Sequence, residues 1–103
     1  MSGRGEAGDC ERLSFLGRPI PAAFTLRVIT IAPMRPRPYQ AAEWRDCLVV
    51  VESGELELEH ADGSRHRFGS GSLLCLDGLR LRWLHGHGQA PVLLAVVSRR
   101  RTD

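Results

Sequence analysis

The strict alternation Glu55-Leu56-Glu57-Leu58-Glu59, followed after two residues by Asp62-Gly63, restricts this chain more than any other feature. Side chains alternate faces along a strand, so Leu56 and Leu58 point one way and the three glutamates the other. A helix repeats every 3.6 residues and would scatter that pattern around its surface. Asp-Gly supplies the positive φ values that a tight type I′ hairpin turn requires. Ser64 to Phe68 is then the returning strand, with Arg65 and Arg67 set to pair across it with the glutamate row. The chain therefore contains a hairpin with one apolar and one charged face.

The remaining segments follow the same logic. Thr25 to Ala32 is rich in β-branched residues and reads as a strand. Pro33, Pro36 and Pro38 then exclude helix and central strand alike, so an extended loop is expected. Cys47 to Val51 is apolar throughout, as a strand covered on both faces would be. Leu73 to Leu76, Leu79 to Leu84 and Val92 to Ser98 read as three more strands. The turns between them fall at Ser53-Gly54, Gly69 to Ser72, Asp77-Gly78 and Gly86 to Pro91. Ala41 to Asp46 is long enough for one helical turn at most. The expected class is all-β, a small antiparallel β-barrel or jelly roll. A length of 103 residues allows one domain, expected at 19–103 behind a flexible, Gly- and charge-rich segment at 1–18.

Charge and cysteine usage exclude several functions. The net charge is +2, and Arg99-Arg100-Arg101 accounts for it, so no nucleic-acid partner is implied. The longest apolar run, Val92 to Val97, is far below the roughly 20 residues a membrane helix needs. The charged N-terminal stretch lacks the apolar core of a signal peptide. Cys10, Cys47 and Cys75 show no CxxC spacing, which fits reduced thiols in the cytoplasm.

From about residue 25 to 98 the chain resembles a cupin. Val49-Val-Val-Glu-Ser-Gly-Glu-Leu56 is similar to the end of that family's first motif, with Gly54 as its glycine. Phe68-Gly-Ser-Gly-Ser-Leu-Leu-Cys-Leu76 is similar to the start of the second, with Gly71 as its glycine. The resemblance implies a barrel whose cavity holds a metal on three His and one Glu. Counting from the two glycines places Cys47 at the Glu position, Gln40 and Ala42 near two His positions, and Arg82 near the third. Asp77 stands at the second motif's Pro position. Ala has no lone pair to offer and Arg does not release its proton, so the expectation is no metal and no cofactor.

The candidate cavity residues are Gln40, Cys47 and Arg82, with Tyr39 and Trp44 at the cavity mouth beside Trp83. Cys47 is expected inward, either as a small hydrophobe or as a thiolate for zinc or an electrophile. Arg82, sharing a face with Arg80, is expected inward as well, paired with Glu43 or Asp46 or with an anionic ligand group, the remaining alternative being that it faces water. His85 and His87 are expected at a Gly-flanked turn pointing to solvent, and His60 and His66 as a cross-strand surface pair. Catalytic residues are unknown, because the cavity offers little acid-base machinery beyond Glu43. The expected function is a metal-free module binding a small, anionic ligand. The alternatives are a small cupin enzyme of isomerase, epimerase, cyclase or oxygenase type, or a non-catalytic structural subunit. A homodimer is expected, because Leu48, Val50 and alternate members of Val92 to Val97 face away from the interior; the alternative is that Leu13 to Ile20 folds back over this surface and seals the monomer.

Overall fold

The computed structural model describes residues 14–17 and 19–99. The expected leader at 1–18 and Cys10 lie largely or wholly outside them. Eight strands build two antiparallel sheets: β1 (Phe24–Ile31), β2 (Arg37–Pro38), β3 (Cys47–Ser53), β4 (Glu55–His60), β5 (Arg65–Phe68), β6 (Leu73–Leu74), β7 (Leu81–His87) and β8 (Val92–Arg99). The first sheet has the order β1-β8-β3-β6 and the second β2-β7-β4-β5. A single 3-10 turn, Ala41–Trp44, separates β2 from β3. None of the helical segments described is long and apolar enough to cross a membrane, a statement that does not bear on strands.

The strands form where the alternation predicts. In β4, Leu56 and Leu58 are buried, and the Glu57 and Glu59 side chains lie on the opposite face beside Arg65. β1 and β8 pair along all of β1, from Phe24↔Arg99 to Ile31↔Val92. That register sets Ile29 and Ile31 against Val49, Val51, Leu94 and Val96 of the first sheet and Leu56, Leu58 and Leu84 of the second, in one core. The two sheets thus pack face to face, and apolar burial between them holds the fold.

Three expectations about the architecture change. The sheets do not close into a barrel; among the described residues one isolated parallel bridge, Pro33↔Gly86, joins the end of β1 to β7. Pro33 and Pro36 lack the N–H groups that would carry a ladder from one sheet into the next. The Pro-rich segment is also more than a loop, because Arg37 and Pro38 pair with Leu84 and Trp83 at the edge of the second sheet. A proline is tolerated there, where one side of the strand has no neighbour. Finally, Gly86 and His87 belong to β7. A Cβ at Gly86 would come 3.2 Å from the Ile31 carbonyl oxygen and 3.3 Å from a Val92 methyl, so a larger residue there would have to push that wall back by a few tenths of an ångström.

The outer face of the first sheet is apolar as well. Val28, Ala95, Val50 and Leu73 form one row across all four strands. Ala95 and Val50, in the middle, are fully buried although they lie outside the core cluster. The Ser14 hydroxyl and the Phe15 N–H both donate to the Glu52 carboxylate, two residues along β3 from Val50, at 2.6 and 2.8 Å. Residues 14–17 therefore lie against this sheet. Val28, Leu48 and Leu73 stay 52%, 46% and 50% exposed.

Candidate functional site

The 3-10 turn positions the site. Its residue Glu43 binds three side chains near the end where β1 and β3 begin. The Glu43 carboxylate pairs with the Arg37 guanidinium. The Glu43 carbonyl accepts a hydrogen bond from Arg27 Nη2 at 3.0 Å. It also accepts from the Cys47 thiol at 3.8 Å, while the Arg45 carbonyl accepts from the same thiol at 3.3 Å. Arg27 Nη2 lies 3.9 Å from Cys47 Sγ, so a cation sits beside this sulfur.

Arg27 stands on the β1 face that carries Ile29 and Ile31, and it is half-buried. Among the described residues no carboxylate lies within ion-pair distance of it. Its partners are one carbonyl and one sulfur. Two further donors near the turn are unfilled: Trp44 Nε1 and Arg37 Nε are buried with no hydrogen-bond partner among the described residues. Buried unsatisfied donors each cost about 1–3 kcal/mol. This end of the protein is short of acceptors.

A cleft of about 450 Å³ opens beside it. Cys47, Cys75, Asp46, Asp77, Ser98 and Arg99 contribute to its walls. The Ser98 and Thr25 hydroxyls are 3.1 Å apart and hydrogen-bonded. Asp46 adopts a left-handed φ of 58°, which Asp tolerates better than most residues, and its N–H donates to Asp77 Oδ2 at 3.3 Å. Tyr39 donates its hydroxyl to the Leu76 carbonyl at 2.7 Å. Burial, with smaller contributions from the Asp77 and Cys75 charges, pushes the Tyr39 phenol above its ordinary value.

The sequence-derived candidates separate on this frame. Cys47 is buried in the core cluster, and Tyr39 is packed against that cluster. Gln40 is exposed beside a hollow of about 240 Å³ shared with Arg37, Pro38 and Glu43. Trp44, expected at a cavity mouth, is instead 0% exposed at the centre of the core. Arg82 is on the outside: its side chain is 58% exposed, donates to the Ala61 carbonyl at 3.0 Å and lies 3.9 Å from a Glu59 oxygen. The reason is a β-bulge. Glu59 pairs with Trp83 and His60 with Leu81, leaving Arg82 unpaired between them. One extra residue reverses the alternation, and Arg82 turns away from the face that counting from Leu84 assigns it. Its partner is thus neither Glu43 nor Asp46.

The two histidines expected at a solvent-facing turn lie in β7 and are engaged. His85 Nε2 is 2.9 Å from Glu59 Oε1, and His87 Nε2 is 2.7 Å from Arg67 Nη1. The residue that sequence reasoning missed is Arg27. Its signal was present, since Arg27, Ile29 and Ile31 alternate on one face of β1.

The residues that the resemblance would set around a metal, Gln40, Cys47 and Arg82, do not come together in the structure. Cys47 turns its thiol to backbone carbonyls, Gln40 is exposed and Arg82 faces outward. Among the described residues, no group of three or more His, Cys, Asp or Glu side chains is arranged to hold an ion. No protein-family model matches the sequence, and no curated protein matches it significantly.

Proposed function

We propose that this chain is a cupin-like jelly roll that works as a small-molecule binding module, taking a ligand with an anionic head group at Arg27. The fold reading is supported by the strand orders β1-β8-β3-β6 and β2-β7-β4-β5, which suit an eight-stranded, double-sheet jelly roll. The observation that carries the function is the half-buried Arg27 guanidinium, whose partners among the described residues are the Glu43 carbonyl and the Cys47 sulfur. A charge withdrawn from water without a counter-ion is costly, and a carboxylate or phosphate supplies both the charge and the acceptors. A cleft of about 450 Å³, which shares Cys47 with the Arg27 site, falls in the range of small-ligand sites; its walls carry Ser98 and Arg99 together with Asp46 and Asp77. Free Cys47 and Cys75 suit a reducing, cytoplasmic setting.

Calorimetric titration with a panel of small mono- and dicarboxylates and phosphate esters tests this. The expected result is saturable binding of at least one anion that Arg27→Met abolishes and Arg82→Met leaves intact. Binding lost in Arg82→Met but kept in Arg27→Met would move the site to the outer sheet face. No anion binding at millimolar concentration would remove the reading.

A further inference from the structure

We propose that His60 and His66 form a two-imidazole clamp for a late first-row divalent cation, such as Ni²⁺ or Zn²⁺, at the tip of the β4–β5 hairpin. His66 Nδ1 and His60 Nε2 are 3.0 Å apart, and the rings meet edge to face at 85°. Two imidazole nitrogens bound to one ion at roughly 2.0–2.1 Å, at an angle between about 90° and 109°, lie about 2.8–3.4 Å apart. The observed separation falls inside that window. In the metal-free pair one ring nitrogen donates its proton to the other; for an ion to bind, that proton moves to the donor ring's other nitrogen, so that both facing nitrogens offer lone pairs to an ion lying off the line between them.

The turn between the two rings is held on several sides. The Asp62 carboxylate accepts from the Ser64 N–H and hydroxyl at 2.9 and 2.7 Å. The His60 N–H donates to the Ser64 carbonyl at 2.8 Å, and the Gly63 N–H to the His60 carbonyl at 2.9 Å. The pair is thus set by the hairpin before any ion arrives, which lowers the ordering cost of binding. Among the described residues each ring has the other as its hydrogen-bond partner and no carboxylate within ion-pair distance. His85 and His87, by contrast, are occupied by Glu59 and Arg67. Asp62 lies close enough to His60 for their charges to interact, while Arg80 shares the adjoining hollow as an opposing charge. Among the described residues no third protein ligand completes the site, which leaves the remaining positions to water.

The consequence is mechanical. β5 is an edge strand of the second sheet, and its residues Arg65 to Arg67 are exposed. An ion bridging His60 and His66 ties this edge to its neighbour, and an ion that binds the folded chain in preference to the unfolded one raises the melting temperature.

Calorimetric titration of the full chain with Ni²⁺ and Zn²⁺, beside His60→Gln, His66→Gln and a His85→Gln control, decides the matter. The expected result is one ion per chain, with affinity reduced about tenfold or more in each clamp variant, unchanged in the control, and absent for Mg²⁺. Zn²⁺ should also raise the melting temperature of the wild type and of the control, but not of the clamp variants. Binding that survives in both clamp variants would place the ion on the thiols or elsewhere and overturn the proposal. So would the absence of saturable binding below about 1 mM.

Discussion

Arg27 Nη2 lies 3.9 Å from Cys47 Sγ, and it reaches that place from the strand face that also carries Ile29 and Ile31. A cation there contributes little to folding, because it has given up water for a carbonyl and a thiol. Replacing it with an apolar residue of similar reach should therefore leave stability within about 1 kcal/mol, or raise it. Urea unfolding of Arg27→Leu measures this. A loss well beyond 2 kcal/mol would mean that Arg27 is a structural pillar and not a site residue.

Trp44 illustrates a different balance. It is wholly buried, and its indole N–H has no partner among the described residues. Trp44→Phe gives up ring volume but also removes the unsatisfied donor, so the net cost should stay near about 1 kcal/mol. Trp44→Ala removes the packing as well and should cost about 3–5 kcal/mol. Chemical denaturation of the two variants side by side checks the separation; equal losses would show that the N–H finds an acceptor in solution.

Gly54 and Gly63 both hold left-handed φ values, 83° and 91°, yet their surroundings differ. A Cβ at Gly54 would sit 2.6 Å from the Pro91 carbonyl oxygen, whereas at Gly63 it would meet nothing within 4 Å. Gly63→Ala should cost about 1 kcal/mol for backbone strain alone. Gly54→Ala should cost clearly more, about 3 kcal/mol, because β8 must move. Similar melting temperatures for the two variants would contradict the close approach of Gly54 to Pro91.

The Glu59 carboxyl lies below its ordinary value of 4.5, chiefly because His85 hydrogen-bonds it, with the Arg65 and Arg82 charges acting in the same direction. A carboxylate whose folded pKa is lowered stabilises the fold fully above its unfolded pKa. That stabilisation is lost as pH falls through the folded value. The wild type should therefore lose its advantage over Glu59→Gln as pH falls below 4.5, with the midpoint below that of a free Glu. Melting temperatures of both proteins across this range provide the test. A constant difference would mean that the pair contributes no pH dependence.

Leu48, Val28 and Leu73 leave an uncharged strip on the outer face of the first sheet. A two-fold axis through this strip would bury both copies at once, and a homodimer is the expected state. Sedimentation at micromolar concentration should show about twice the 11.4 kDa chain mass, with Leu48→Glu returning the species to one chain. A wild-type monomer would mean that the burial of Val50 and Ala95 within the chain already satisfies this face.

Much of the architecture was legible in local pattern. Leu56 and Leu58 alternate with glutamates, Asp62-Gly63 turns the hairpin, and the apolar runs at Cys47–Val51 and Val92–Val97 become neighbouring central strands. Period-two alternation and glycine turns are properties of a few adjacent residues, so a sequence displays them directly. Arg27 belongs to the same class of signal, since it alternates with Ile29 and Ile31, whereas the position of Arg82 relative to a distant glycine says nothing about its face.

Arg82 itself marks what local pattern cannot carry. Its outward direction comes from a bulge opposite Glu59 and His60, and nothing in Leu81-Arg82-Trp83 announces one. Likewise, the Glu43 carbonyl meets Arg27 only because β1 pairs with β8 and β8 with β3, which brings Arg27 and Cys47 together across 20 positions of sequence. The sequence by itself determined the strands, the turns and most inward faces, since each depends on side-chain period and backbone freedom within a few residues. Tertiary structure alone decided which strands became neighbours and where the alternation slipped, because register is set by the packing of both sheets at once.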